Sequence, residues 1–197
     1  MVDLIITLDG YASGEGWPGW WGLEGPEYLA WLEEEGKKDY TLLMGANTYR
    51  VMSSLSQQAA DQASEFSEEE GASLTGLAAM PKVIFSNSLK EPPAWPNTEL
   101  VRGDAVEKVK EMKRTRGGTL STLGSISLGR SLLSAGLVDR FRLVVFPVIT
   151  GRTGSERIYD GYPDIALDLV ESRTFDGRSQ LLEYIPSIIE GPPPARS

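Results

Sequence analysis

The sequence lacks cysteine and histidine altogether among its 197 residues. The absence of cysteine excludes disulfides, thiol nucleophiles and thiolate metal sites. The absence of histidine excludes a Ser–His or Cys–His catalytic relay and any histidine-ligated metal, so we expect no metal site. Proton transfer must therefore use aspartate, glutamate, tyrosine, lysine, water or the substrate itself.

Long hydrophobic runs and clustered positive charge are lacking as well. No apolar run approaches the roughly 20 residues that a membrane-spanning helix needs, and Asp3 stands where a signal peptide carries basic residues. The net charge of −9 argues against nucleic-acid binding, and the basic stretch Lys108–Arg116 is typical of a solvated helix face. We therefore expect a cytoplasmic protein that binds neither membranes nor nucleic acid.

The remaining composition is that of an ordinary globular protein, with 41% hydrophobic and 24% charged residues. A chain of this length can bury a sizeable core without covalent staples. We expect residues 1–188 to form a single domain, because no interdomain linker or internal repeat is visible. Residues 189–197 include three consecutive prolines and are expected to be a disordered tail.

Apolar strand-like runs alternate with helical patterns along most of the chain. Examples of such runs are Asp3–Leu8, Tyr40–Gly45 and Pro81–Ser86. Near the C-terminus two alternating segments flank Asp176-Gly177, a typical hairpin turn. The pattern predicts an α/β fold of three α/β/α layers, with a central, mixed, mostly parallel sheet and a C-terminal antiparallel hairpin.

Two segments fit this alternation less well. A loop rich in glycine and tryptophan follows Gly10, and its tryptophans are either a lid over a flat ring or a hydrophobic anchor for the loop. Ser56–Met80 is polar, acidic and rich in alanine and serine, which predicts a surface insertion of helix plus loop.

Small and polar residues occupy three turns that lead from a strand into a helix or loop. These turns are Gly45-Ala46-Asn47-Thr48, Ser86-Asn87-Ser88 and Gly124-Ser125-Ile126-Ser127. In open α/β sheets such turns meet at the carboxyl ends of the strands, where helix N-termini favour phosphate groups. The alternative is that these residues are ordinary caps and turns. None of the turns carries a Walker A or GxGxxG motif.

Two carboxylates are candidates for chemistry near these turns. Asp9 ends the first predicted strand and faces the same crevice, where it is either a catalytic and substrate-binding group or the cap of a turn. Glu27 is a candidate substrate-binding residue, although acidic residues are also common in the first turn of a helix.

Several motifs, in the same order along the chain, resemble the dihydrofolate-reductase-like superfamily. They are "ITLDGYAS", "LLMGANTY", "KVIFSNSL", "TLGSISLGRSLLSAGLVDRFRLVVFPVITGRTG" and the closing hairpin. The pattern is most similar to the reductase domain of the bifunctional deaminase–reductase of riboflavin biosynthesis, and it extends to about Ile185. The similarity does not include a deaminase domain.

The resemblance implies NADPH as cofactor and a small molecule as substrate. Gly124 and Ser125 would open the helix whose N-terminus holds the cofactor's pyrophosphate, and Gly45–Thr48 would lie under its phosphates from the other side. Ser86–Asn87 would lie near the adenine ribose and its 2′-phosphate. Asp9 matches the acid that lies in the substrate pocket of the riboflavin-type reductases.

The sequence departs from the family pattern at four positions. Ala46 replaces an arginine, Ser125 replaces a second glycine, and Arg140 replaces a glutamate. Tyr28 stands at the position of the catalytic carboxylate of dihydrofolate reductases, with Glu27 beside it.

The resemblance implies an NADPH-dependent oxidoreductase that transfers a hydride to a heterocyclic or ribosylamino substrate, like the 5-amino-6-(5-phosphoribosylamino)uracil reductase domain. Two alternatives are a dihydrofolate or pteridine reductase of the same fold and a non-catalytic nucleotide-binding protein. The resemblance also implies a homodimer, for which the apolar run Phe141–Val148 is a candidate interface.

Overall fold

The computed structural model describes residues 1–17, 21–61, 67–90 and 94–192. The helices are α1 (Pro26–Gly36), α2 (Ala46–Asp61), α3 (Glu68–Ala79), α4 (Ala105–Thr115) and α5 (Ile126–Ser134). The strands are β1 (Val2–Thr7), β2 (Tyr11–Gly14), β3 (Tyr40–Gly45), β4 (Lys82–Phe85), β5 (Thr98–Val101), β6 (Thr119–Thr122), β7 (Phe141–Phe146), β8 (Gly154–Arg157), β9 (Ile165–Phe175) and β10 (Ser179–Ile188). The predicted mixed α/β class is confirmed. Residues 193–197 of the predicted tail lie outside the described residues.

The chain divides into two compact units. The parallel unit is Glu24–Ser125, and the hairpin unit is Met1–Leu23 together with Ile126–Ser197. No helix in the described ranges is long and apolar enough to cross a bilayer. The same residues contain no group of three or more acidic side chains arranged to hold a metal ion.

The parallel unit contains a four-stranded sheet in the order β5-β4-β3-β6, and all of its strand pairs are parallel. Its core includes Leu42, Met44 and Ile84, together with Tyr49 of α2 and Trp95. Because all four strands run in the same direction, their carboxyl ends lie at one edge of the sheet. The three turns singled out in the sequence begin at that edge.

The hairpin unit contains a second four-stranded sheet, in the order β1-β7-β10-β9. Strands β1 and β7 are parallel, whereas β10 is antiparallel to both β7 and β9. Alternate residues of β1 face a core that also receives Leu133 of α5. In the predicted hairpin turn, Asp176 and Gly177 have φ of 52° and 63°, which fits the left-handed backbone of a tight turn.

The segment after Gly10 was predicted to be a loop, and this is wrong in part. Tyr11–Gly14 is a strand, β2, that pairs antiparallel with β8. Its partner is far away in sequence, so no local pattern reveals the pairing. Trp21 is only 3% exposed, which favours an anchoring role for this side chain. Trp20 lies outside the described residues.

The predicted surface insertion over Ser56–Met80 is also partly wrong. Helix α2 continues to Asp61, and a second helix, α3, begins after Ser67. Ser67 and Glu70 form a reciprocal capping box, in which each side chain binds the other residue's backbone N–H. Leu74 of α3 is 3% exposed, so this helix contributes to the interior as well as to the surface.

Candidate active site

The first candidate site lies where β3 and β6 leave the sheet of the parallel unit. The backbone N–H of Gly45 donates to Oγ of Ser125 at 2.9 Å, and that hydroxyl donates to Oγ1 of Thr48 at 2.8 Å. The two turns are therefore joined by a short chain of hydrogen bonds. Thr48 is half-buried, and no acceptor for its hydroxyl proton is found among the described residues. That proton is available to a ligand.

The turn after β6 has an unusual backbone at two successive residues. Gly124 and Ser125 have φ of 55° and 59°, in the left-handed region that favours glycine. For Ser125 this backbone costs about 1 kcal/mol, and the hydrogen bonds of its hydroxyl offset that cost. A Cβ on Gly124 would lie 3.9 Å from both Cγ2 and Oγ1 of Thr48. The bare glycine backbone thus leaves open space beside the Thr48 hydroxyl.

The predicted residues Ala46 and Asn47 open α2 next to this link. Asn47 is exposed, and its Oδ1 accepts a hydrogen bond from Arg50 at 3.0 Å. Ile126 and Ser127 open α5, which belongs to the hairpin unit. The parallel unit therefore brings Gly45, Thr48 and the Gly124–Ser125 turn together.

The predicted Ser86–Asn87 turn begins at the carboxyl end of the neighbouring strand β4. The Ser86 hydroxyl accepts the backbone N–H groups of Ser88 and Leu89, at 3.2 and 3.1 Å. Oδ1 of Asn87 accepts the N–H of Gly103 at 2.8 Å. These bonds make the segment a well-determined turn.

Arg102 is a cation at this turn that the sequence reasoning missed. It follows β5, and its guanidinium donates to the carbonyl oxygens of Asn87 and Leu89 at 3.2 and 2.7 Å. The side chain is exposed. Its proximity to Asn87 depends on the pairing of β4 with β5, which no motif in the sequence marks. The arrangement places a positive charge beside the polar turn.

Asp9 lies in the hairpin unit, just after β1, and its carboxylate is held by several donors. Oδ1 accepts from the Thr7 hydroxyl at 2.6 Å and from the N–H of Thr150 at 3.3 Å, and Oδ2 accepts from the N–H of Gly151 at 2.9 Å. Desolvation raises the pKa of Asp9, but these hydrogen bonds outweigh it, and the pKa lies below the usual value of 3.8. The group is therefore an ionised acceptor at neutral pH.

Exposed apolar residues stand next to Asp9 and next to Thr150, whose N–H binds its carboxylate. Leu8 and Ile149 are 64% and 72% exposed, and the N–H of Leu8 donates to the carbonyl of Val148 at 2.8 Å. These neighbours follow the parallel strands β1 and β7. Sequence reasoning missed them because they resemble ordinary strand-end residues. An ionised carboxylate beside two exposed aliphatic side chains can bind the polar edge and the face of a flat molecule.

Gly10 allows Tyr159 to pack beside Asp9. A Cβ on Gly10, whose φ is 85°, would lie 2.6 Å from the Tyr159 ring. Burial raises the pKa of Tyr159, which keeps its hydroxyl protonated. The glycine of the Asp-Gly pair therefore serves both the turn and the close approach of this ring.

Glu27 lies in the parallel unit, in the first turn of α1, and is exposed. Its neighbour Tyr28 is fully buried, with its ring stacked on Trp31 at 5.8 Å between centroids. Tyr28 thus belongs to the packing of α1. Asp9 and Glu27 belong to different units.

Comparison with known proteins identifies relatives that match most of this chain. The chain is 26% identical over 175 residues to the uncharacterized protein YyaP of Bacillus subtilis (strain 168), and the match covers 89% of this chain and 88% of YyaP. In fold it is similar to a pyrimidine reductase-like protein from Corynebacterium diphtheriae, with a TM-score of 0.61, 15% identity and coverage of 94% and 90% of the two chains.

A second solved structure is a diaminohydroxyphosphoribosylaminopyrimidine deaminase/5-amino-6-(5-phosphoribosylamino)uracil reductase from Thermotoga maritima. Its TM-score with this chain is 0.60 at 14% identity, and the match covers 94% of this chain but 56% of that one. These identities show a shared fold. The family model of the RibD C-terminal domain matches residues 1–181. The chain therefore belongs to the RibD C-terminal domain family.

Proposed function

We propose that the protein is an NADPH-dependent reductase acting on a heterocyclic or ribosylamino substrate related to 5-amino-6-(5-phosphoribosylamino)uracil. The observation that carries this proposal is the hydrogen-bonded link of Gly45, Ser125 and Thr48 at the carboxyl edge of a parallel sheet. It joins two turns, each of which leads into a helix. Family membership supports the same function.

The residues present fit the phosphates of a dinucleotide. Gly45 and Gly124 leave backbone uncovered, since a Cβ on either would have its nearest neighbouring atom 4.0 or 3.9 Å away. The Thr48 hydroxyl accepts a hydrogen bond from Ser125, so its own proton would be free to donate to a phosphate oxygen. Hydroxyl and amide donors at a helix N-terminus stabilise phosphate oxygens, which explains how a protein with a net charge of −9 binds an anion.

The Ser86–Asn87 turn and Arg102 would hold the 2′-phosphate. Ala46 removes the arginine expected there from the family pattern, and Arg102 supplies a positive charge in the same unit. Charge-assisted hydrogen bonds contribute about 1.5–3 kcal/mol each. We therefore expect a preference for NADPH over NADH.

The Asp9 cluster would bind the substrate. NADPH supplies the hydride when bound, and the protein contributes orientation and electrostatics. The ionised Asp9 carboxylate would accept hydrogen bonds from substrate N–H or O–H groups. Leu8 and Ile149 would contact the apolar face of the substrate. Because the pKa of Asp9 is lowered, water is the more suitable proton donor at neutral pH.

The folate-type alternative is less well supported by the structure. The residue at the position of the catalytic acid is Tyr28, which is fully buried in packing, and Glu27 is exposed in the first turn of α1. The non-catalytic alternative makes a different prediction, namely nucleotide binding without turnover.

The proposal is tested by titrating NADPH into the wild type and a Gly124→Val variant. A branched side chain there would cover the space beside Thr48, and we expect NADPH affinity to fall by about 100-fold or more, because at least two phosphate contacts would be lost. Gly177→Val is the matched control, since Gly177 has a similar φ of 63° and open surroundings in the hairpin turn. A folded Gly124→Val protein that binds NADPH like wild type would overturn this assignment of the cofactor site.

Turnover is tested separately by NADPH oxidation in the presence of 5-amino-6-(5-phosphoribosylamino)uracil. Oxidation that depends on the substrate supports the reductase proposal. NADPH binding without oxidation by this compound or by dihydrofolate favours the non-catalytic alternative.

A further inference from the structure

Arg130 of α5 is an arginine without an acidic partner in the part of the chain that the structure describes. Other arginines there do pair with a carboxylate, among them Arg116, Arg140, Arg142 and Arg157. Arg130 is half-buried, and its Nε–H is shielded from solvent without any acceptor among the described residues. Buried donors of native proteins nearly all have an acceptor, which can also be a bound ion or a water molecule.

The hydroxyl group of Tyr162 is a second buried group without a hydrogen-bond partner in the described residues. Tyr162 follows the turn over residues 158–161, and its ring packs edge-on against Phe141 with 6.1 Å between the ring centroids. Burial raises the pKa of Tyr162 to about 12, so the hydroxyl group keeps its proton at neutral pH. The group can therefore donate a hydrogen bond to an acceptor that the chain itself does not supply.

The two donors belong to one cluster within the hairpin unit. Cζ of Arg130 lies 6.0 Å from the centre of the Tyr162 ring, which is the outer limit of a cation–π contact and leaves Nε–H without an acceptor. A Cβ on Gly129, the residue before Arg130, would lie 4.0 Å from the hydroxyl oxygen of Tyr162. The hydroxyl group and the guanidinium group therefore adjoin the same turn of α5.

Gly161 covers the guanidinium group of Arg130. A Cβ on Gly161, whose φ is 78°, would lie 3.4 Å from Nε and 3.5 Å from both Cδ and Cζ of Arg130. The glycine thus lets the exposed backbone of the turn pass close to the arginine. The carboxylate of the neighbouring Asp160 pairs with Arg157 at 3.9 Å. A ligand can reach Nε only when this turn shifts.

The cluster is separate from the Asp9 site of the same unit. A Cβ on Gly129 would lie 3.3 Å from the side chain of Val2, at the start of β1. Asp9 instead binds the hydroxyl group of Thr7, at the other end of that strand. The first and last residues of a six-residue strand are about 17 Å apart. A ring that is held by Asp9 therefore does not occupy the cluster.

We propose that Arg130 and Tyr162 form a binding site for a phosphate group, separate from the cofactor and substrate sites. The Nε–H and one Nη–H of a guanidinium group lie side by side and match two oxygens of a phosphate. The hydroxyl group of Tyr162 would donate a further hydrogen bond to the same group. A phosphate also supplies the negative charge that Arg130 lacks, which a water molecule does not. Its source is either inorganic phosphate or the phosphate ester of a small metabolite.

The proposal is tested by titrating inorganic phosphate and ribose 5-phosphate into the full chain at constant ionic strength, with calorimetric detection. Arg130→Gln should weaken binding by about 10-fold or more, because a charge-assisted contact is lost. Arg157→Gln is the matched control, since it removes the same charge from an arginine that has an acidic partner. The compound that binds more tightly identifies the source of the phosphate group.

Two outcomes of this titration would overturn the proposal. One is that the wild type binds neither compound, or that Arg130→Gln binds both like wild type. The other is that Thr48→Val weakens phosphate binding and Arg130→Gln does not, because the phosphate would then occupy the turns of the parallel unit.

A second variant, Tyr162→Phe, keeps the test independent of net charge and of any misfolding of Arg130→Gln. Without phosphate, Tyr162→Phe should unfold at the same denaturant concentration as wild type or a higher one, because the lost hydroxyl group has no acceptor. With phosphate, wild type should gain more stability than Tyr162→Phe, since ligand binding stabilises the folded state. Non-specific stabilisation by phosphate is common to both proteins and cancels in this comparison. If Tyr162→Phe is less stable than wild type by the same amount with and without phosphate, a bound water satisfies the hydroxyl group and the proposal fails.

Discussion

The parallel unit and the hairpin unit each contain a candidate site, and the two sites differ in chemistry. In the parallel unit, the Gly45 amide and the Ser125 and Thr48 hydroxyls link the two turns, the Arg102 guanidinium lies at the neighbouring turn, and no carboxylate takes part in the link. In the hairpin unit, the central group is the ionised carboxylate of Asp9, with exposed aliphatic neighbours. The site in the parallel unit suits an anion, and the site in the hairpin unit suits a hydrogen-bond donor on a flat ring.

The two sites also differ in how each is stabilised. The turns of the parallel unit are joined by one side chain, Ser125, which adopts a left-handed backbone and bonds to both Gly45 and Thr48. Asp9 is itself the acceptor that holds the loop at Thr150–Gly151. A change in the site of the parallel unit should therefore alter ligand affinity, whereas a change at Asp9 should alter stability as well as function.

Gly10→Ala should have the largest effect on stability. The new Cβ would lie 2.6 Å from the Tyr159 ring, at a φ of 85°, so both a clash and backbone strain are expected. We expect the free energy of unfolding to fall by about 2–4 kcal/mol, measured by chemical denaturation. Gly16→Ala is the control, because Gly16 has a φ of 79° but no atom within 4 Å. Equal losses in the two variants would show that Tyr159 can move aside.

Thr48→Val should weaken NADPH binding by about 10-fold or more, because it removes one hydroxyl donor to a phosphate and keeps the shape of the side chain. Isothermal titration measures the effect. Thr41→Val, at the opposite end of β3, is the control. If Thr48→Val leaves NADPH affinity unchanged, the hydrogen-bonded link through Ser125 is a structural feature and not part of the cofactor site.

Arg102→Gln should reduce the preference for NADPH over NADH by about 10-fold, since one charge-assisted contact with the 2′-phosphate would be lost. The affinity for NADH should stay the same. Arg116→Gln is the control, because Arg116 pairs with Glu99 on the same unit and is 39% exposed. If NADH affinity fell equally, Arg102 would only hold the Ser86–Asn87 turn in place.

Local patterns were sufficient to predict most of the fold. Asp104 caps α4 by accepting hydrogen bonds from the N–H groups of Val106 and Glu107, and Gly136 follows α5 with a bond from its N–H to the carbonyl of Leu133. These features depend on residues a few positions apart. Pairing of β2 with β8 depends on residues 140 to 146 positions apart, such as Gly14 with Gly154 and Tyr11 with Arg157, and the sequence gives no sign of it.

The candidate site residues also differ in whether a local pattern in the sequence could identify them. Gly45, Thr48 and the Gly124–Ser125 turn could be selected from strand-end motifs, although their hydrogen-bonded link required the parallel pairing of β3 with β6. Arg102 and Ile149 could not be selected, because each acquires its significance only from a neighbouring strand. The roles of the selected residues toward NADPH and substrate stay predictions.

Asp9→Asn should have the smallest effect on NADPH affinity, and it separates turn capping from substrate binding. Asparagine retains one acceptor oxygen but loses the charge, so the bonds to Thr150 and Gly151 should weaken and the loss of stability should be smaller than that of Gly10→Ala.

The lowered pKa of Asp9 gives the sign of the pH dependence. The ionised group stabilises the fold above the usual pKa of 3.8, and this contribution is lost as pH falls through the lower pKa of the folded state. The difference in unfolding free energy between wild type and Asp9→Asn should thus be constant near neutrality and shrink below about pH 4. Turnover of Asp9→Asn should fall at neutral pH while NADPH affinity is unchanged. Normal turnover with reduced stability would show that Asp9 is a turn residue and that the substrate binds through other groups.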